Sequence, residues 1–110
     1  MSKSEFEKSK VFNFNQSIEF SEGGIVSKTV IKKQSGNISL FSFDKGEALS
    51  EHTAPFDAMI MAVDGRGEII IGGKSFILES GQCIIMPANI AHAVNAVEKF
   101  KMVLTMIKSS

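Results

Sequence analysis

The chain has 110 residues, with 12 basic and 12 acidic side chains and 44% hydrophobic residues, enough for the core of one domain. Arg66 is its only arginine and the lysines are spread along the sequence, so the clustered basic face that nucleic acid requires is not expected. The longest apolar run, Ala58 to Val63, is too short to span a bilayer, and no membrane partner is expected.

The first ten residues are polar and charged and do not read as a signal peptide. The lone Cys83 cannot form an intramolecular disulfide and suits a reducing compartment, so a cytoplasmic location is expected. Residues 1–23 read as an N-terminal arm or edge strand carrying Phe6, Phe12, Phe14 and Phe20. Such an arm packs either on its own barrel or on a second copy of the chain, and a homodimer is the expected assembly. The only helical signal is a turn before Lys10.

Residues 24–110 read as an all-β domain. Val26–Ile31, Ile38–Phe43, Met59–Val63, Glu68–Ile71, Phe76–Leu78, Cys83–Met86 and Phe100–Ile107 are short and rich in β-branched and aromatic residues. Between them stand turn signals: Ser35-Gly36-Asn37, Asp44-Lys45-Gly46, Asp64-Gly65, Gly72-Gly73 and Glu79-Ser80-Gly81. Asp-Gly and Gly-Gly supply the positive φ that tight hairpins need, so Asp64-Gly65 is expected to separate two strands. The last strand alternates apolar residues on both faces and must be covered on both. A jelly-roll barrel provides one cover, and an outer layer or partner the other.

The chain has two histidines, His52 and His92. Each sits in a glycine-punctuated stretch: Gly46, His52, Ala54, Ala58 and Gly65 in the first, Gly81, Pro87, Asn89, His92 and Ala96 in the second. Strand alternation places His92, Val94 and Ala96 on one face, so two strands distant in sequence can offer one imidazole each to a shared cavity. Imidazole is the commonest metal ligand.

These stretches resemble the cupin superfamily, whose motifs run Gly-x5-His-x-His-x3-4-Glu-x6-Gly and Gly-x5-Pro-x-Gly-x2-His-x3-Asn. Gly46, His52, Gly65, Gly81, Pro87 and His92 match at the family spacing, and the resemblance covers about residues 36 to 107. It implies a double-stranded β-helix, a jelly-roll barrel that is commonly dimeric, with any active site inside the barrel mouth. The departures are Ala54, Ala58 and Ala96, where the family has a second histidine, a glutamate and an asparagine. Asn89 replaces a glycine and can also take the left-handed conformation. Of the four usual metal ligands, only His52 and His92 carry over. Glu51 should face away from His52, Asp57 would enter only through a local bulge, and Cys83 would serve only if it points inward.

The expected function is binding of a small organic ligand in the barrel, with His52 and His92 as polar anchors and Met59, Met61 and Met86 as a soft, adaptable wall. The alternative is a metal-dependent cupin enzyme, dioxygenase- or isomerase-like, with a divalent Zn, Mn, Fe, Ni or Cu on His52 and His92. Metal-free epimerase chemistry, which pairs a histidine with a tyrosine in proteins of this fold, meets a chain with no tyrosine.

Overall fold

The structure is a computed structural model that describes residues 6–108. Seven strands follow a 3-10 turn at Phe14–Gln16: β1 (Ile25–Lys33), β2 (Gly36–Phe43), β3 (Ala48–His52), β4 (Asp57–Ile71), β5 (Lys74–Glu79), β6 (Cys83–Met86) and β7 (His92–Ile107). Every strand pairing is antiparallel. Among the described residues no helix is long and apolar enough to cross a membrane.

Two long strands make the barrel. The N-terminal half of β4 pairs with β6 and with the C-terminal half of β7, which also pairs with β2. The C-terminal half of β4 pairs with β5 and with the N-terminal half of β7, which also pairs with β3. Both strands bend at the same place. Between Ala62 and Asp64 β4 gains a residue on β7, and between Gly65 and Gly67 β7 advances from Phe100 to Ala96. Such bulges sharpen local twist and bend a strand, so one hydrogen-bonded sheet folds into two facing layers.

This bend corrects the sequence expectation at Asp64-Gly65. Those residues do not turn the chain back; they lie inside a single continuous strand. Gly65 does use a positive φ of 80°, but at a bulge rather than a hairpin. The true tight turn is Gly72-Gly73, both at positive φ, which joins β4 to β5. The expected strand Phe100–Ile107 is also longer, beginning at His92.

The core lies between the layers. Phe43, Ile60, Ile69, Phe100 and Met102 are fully buried there, with Ala58, Ala96, Val94 and Met86 among them. A second cluster covers the outer face of the β2-bearing layer: Leu40, Val30 and Val103 pack with Ile18 and Phe14 of the arm. Both faces of β7 are thus covered along this stretch. Polar ties fix the arm to its own barrel. Buried Lys101 donates through Nζ to the Asn15 backbone carbonyl at 2.6 Å and to Asn15 Oδ1 at 3.1 Å, and it lies over the Phe20 ring. Buried Ser42 donates to the Glu19 carbonyl at 2.8 Å. Lys101 and Ser42 thus each have a partner, as burial demands, whereas Asn37 Oδ1 is buried without one.

Candidate functional site

His92 opens β7, where its side chain shares the inner face with Val94 and Ala96, and all three are buried. His52 reaches that face by a different route. Leu49 stands opposite Val94, and His52 stands opposite His92. Three steps along β3 thus match two along β7, so one residue of β3 is a bulge. Simple alternation would have placed His52 with Ser50 and opposite to Leu49; the extra residue restores it to the Leu49 side.

The two imidazoles form a cross-strand pair. Nε2 of His52 lies 3.2 Å from Nε2 of His92, with the rings edge to face at 4.4 Å. Each Nδ1 meets a backbone carbonyl two residues earlier in the chain: Ser50 at 2.8 Å and Ile90 at 3.2 Å. A carbonyl accepts only, so each Nδ1 carries the proton and donates it. In the neutral pair both Nε2 atoms are then bare acceptors pointed at one spot. Lone pairs at that separation call for a proton between them, or for a donor group or cation set to one side and facing both.

Burial pushes the His92 imidazole below its ordinary pKa of 6.5; the bond to the Ile90 carbonyl acts in the opposite direction, and the neighbouring His52 charge lowers it further. The folded protein therefore binds this proton less readily than the unfolded chain. Stability contributed by neutral His92 is complete above about pH 6.5 and is lost as pH falls through the depressed folded value. Asp44 and Glu68 are also depressed, from carboxylate values of 3.8 and 4.5. Backbone N–H groups of Gly23 and Lys45 act on Asp44, and Ser75 and Asn95 on Glu68. Their loss belongs to a lower pH range. Thermal melts should accordingly show a decline beginning near pH 6.5 that is absent in His92→Gln, followed by a second decline in acid that both proteins share. An identical profile above pH 5.5 in the two proteins would contradict the assignment.

The other sequence candidates fall on different faces. Met86 is buried and belongs to the inner cluster. Met59 and Met61 do not stand with the histidines. They alternate with buried Ala58, Ile60 and Ala62, so they lie on the outside of β4, and Met61 packs in the outer cluster. Cys83 is exposed, on the opposite side of β6 from Ile84 and its inward neighbours. Asp57 is exposed and accepts from the Ala88 backbone N–H at 2.8 Å, holding the turn in which Asn89 adopts a φ of 65°. Gln82 Oε1 accepts from the Glu79 N–H.

Of the two vacant ligand positions, Ala58 is filled by core packing, whereas Ala54 is half-buried in the loop after β3. Ala58 and Ala96 are buried members of the inner apolar cluster. Among the described residues no group of three or more His, Cys, Asp or Glu side chains could hold a metal ion. The carbonyls of Ser50 and Ile90, which orient the pair, were invisible to motif reasoning. One signal for the bulge was available: Leu49 and Glu51 have the same strand parity, and both cannot suit an apolar face without a register change.

Bulge-bent long strands, a two-layer antiparallel barrel and a histidine from each of two glycine-led strands together define a jelly-roll barrel of the cupin type. A family model described as a cupin domain matches residues 39–108, and the chain belongs to that family. Among solved structures, a conserved protein of unknown function from Streptococcus pyogenes is 36% identical, with a TM-score of 0.92 over 100% of this chain and 97% of that one. A cupin 2 conserved barrel domain protein from Leptotrichia buccalis is 43% identical, with a TM-score of 0.85, covering 88% of this chain and 47% of that one. A cupin superfamily protein from Desulfitobacterium hafniense is 24% identical, with a TM-score of 0.88 over 94% of each chain, and shows the shared fold. No curated protein matches the chain.

Proposed function

We propose that this cupin barrel binds a small organic molecule at the His52–His92 pair, through a hydroxyl, enol or amine group shared by the two Nε2 atoms. The observation that carries the reading is the 3.2 Å Nε2–Nε2 approach with both Nδ1 atoms engaged by carbonyls. Two fixed acceptors converge where a single donor satisfies both. His92 is buried and His52 exposed, so the ligand enters from the His52 side, and Leu49, Val94 and Ile71 supply apolar surroundings. A few fixed polar groups on an apolar wall are the usual make-up of a small-molecule site.

A second reading keeps the same atoms: a divalent Zn, Mn, Fe, Ni or Cu on the two Nε2 positions, in a dioxygenase- or isomerase-like protein. Its support is the pair of Nδ1–carbonyl bonds, the arrangement that orients metal-bound imidazoles. The donor set does not fit. Catalytic zinc keeps three protein ligands and non-haem iron two histidines with a carboxylate, whereas here the remaining positions are Ala54, half-buried in a loop, and Ala58, in the core, and neither side chain has a donor atom.

Imidazole nitrogen resonances test the first reading simply, because the chain has two histidines. Phenol, a hydroxyl on an apolar body, should shift both Nε2 signals saturably, while anisole, which lacks the donor, should not. His52→Ala should abolish the His92 response. If phenol leaves both Nε2 signals unmoved, or anisole moves them equally, the shared-donor reading is wrong.

A further inference from the structure

The arm and β1 enclose a hollow of about 560 Å³, away from the histidine pair. Its apolar walls are Phe6 and Phe12 from the arm and Val30 and Ile31 from β1. Consecutive strand residues ordinarily face opposite ways. Here the β1–β2 register shifts between Thr29 and Ile31, and the bulge turns Val30 and Ile31 to the same hollow, the kind of re-aiming that bulges perform. Phe12 and Ile31 remain 45% and 47% exposed on facing walls, leaving apolar surface in contact with water that an occupant would cover.

The mouth of the hollow is basic. Lys8, Lys10, Lys32 and Lys33 border it, in a chain whose formal net charge is zero. Glu7 is, among the described residues, the one acidic residue at the border, and it is already paired with Lys10 at 3.1 Å. Among the described residues Lys8, Lys32 and Lys33 make no ion pair. Lysines that are scattered in sequence are thus gathered by the fold at one opening. The arm here also holds Ser9 at a φ of 61°, a backbone state unusual for a residue with a side chain and one that recurs at ligand clamps.

We infer that the hollow between the N-terminal arm and β1 binds a free amphiphilic anion, its apolar body between Phe12 and Ile31 and its anionic oxygens among Lys8, Lys32 and Lys33. The hollow's size lies within the range of small-molecule sites, roughly 300–1,000 Å³. Lysine ammonium groups hold carboxylate or phosphate oxygens as point charges without bidentate geometry, so the head group is recognised by charge and the body by apolar burial. This site is separate from the histidine pair and stands or falls independently of the function proposed for it.

Decanoate below its micelle concentration is a suitable probe, followed by calorimetry at two salt concentrations. Saturable binding at one site is expected. It should weaken about tenfold or more in Lys32→Glu/Lys33→Glu and in Ile31→Ser, and weaken with added salt, as attraction between exposed charges must. Decanol should bind at least about tenfold more weakly than decanoate, and His52→Ala should bind decanoate as the native protein does. Lys32, Lys33 and Ile31 are exposed, so these variants keep the fold, which their thermal melts would verify. Absence of saturable decanoate binding, equal affinity in the lysine variant, or binding confined to vesicles of anionic phospholipid would each overturn the inference.

Discussion

Replacing Gly65 with valine should abolish the native fold at 37 °C, and Gly65→Ala should cost about 3–5 kcal/mol in urea unfolding, the upper range for single substitutions. Two independent causes act together. At a φ of 80° any residue with a Cβ gives up about 1–2 kcal/mol. A Cβ at this position would also overlap the Lys99 carbonyl across the β4–β7 ladder, and backbone cannot yield as a flexible side chain can. The site sits at the bend that turns one sheet into two layers, so relief of the clash would have to open the bend itself. Gly67, two residues on, is closed by contact with Phe100, whose ring would stand 2.5 Å from an added Cβ. A loss below about 1 kcal/mol for Gly65→Ala would mean that the bend tolerates relaxation and does not set the barrel.

The second large effect is expected from Ala58→Glu, which restores the carboxylate of the family motif. Ala58 is 6% exposed and stands opposite Met86 on one side and Met106 on the other. A longer side chain overfills this core, at about 1–3 kcal/mol. A neutral polar group buried without a partner adds about 1–3 kcal/mol by the protein mutational scale, and an ionised carboxylate adds more. The expected destabilisation is therefore about 2–6 kcal/mol in acid, where the group is neutral, and larger at pH 7. Denaturant melts at pH 7 and pH 5 would measure it. A variant as stable as the native protein at pH 7 would show that position 58 opens to water, and that the inner face is an open cup.

The motif glycines make the barrel legible because they serve a backbone need that does not depend on the ligands, while His52 and His92 mark the strands that meet inside it. Gly65 retains its positive φ and Asn89 its left-handed turn whether or not a metal is bound. Local turn chemistry misled at Asp64-Gly65, since a bulge and a hairpin ask for the same glycine conformation and only the long-range pairing of β4 with β7 distinguishes them. Met59 and Met61 alternate as a soft wall beside the histidines would, yet strand parity relative to buried Ala58 puts them outside. The β3 bulge was the least legible feature. It decides that His52 meets His92, and it depends on pairing between residues 40 positions apart in the chain.

The lysines repeat the point on the surface. Lys8 and Lys10 belong to the arm, Lys32 and Lys33 to the end of β1, and nothing in their sequence spacing brings them together. The arm's anchoring through Lys101, Ser42 and the outer apolar cluster does so.

On the function proposed, the histidine pair serves as a shared acceptor without a resident metal. Metal content of protein purified without chelators, before and after incubation with Zn²⁺, Mn²⁺, Fe²⁺, Ni²⁺ or Cu²⁺ and desalting, tests it most directly. We expect only trace metal in every case, unchanged by His52→Ala or His92→Ala. Near-stoichiometric retention of any of these ions, lost in both variants, would contradict the account and establish the pair as a two-imidazole metal site.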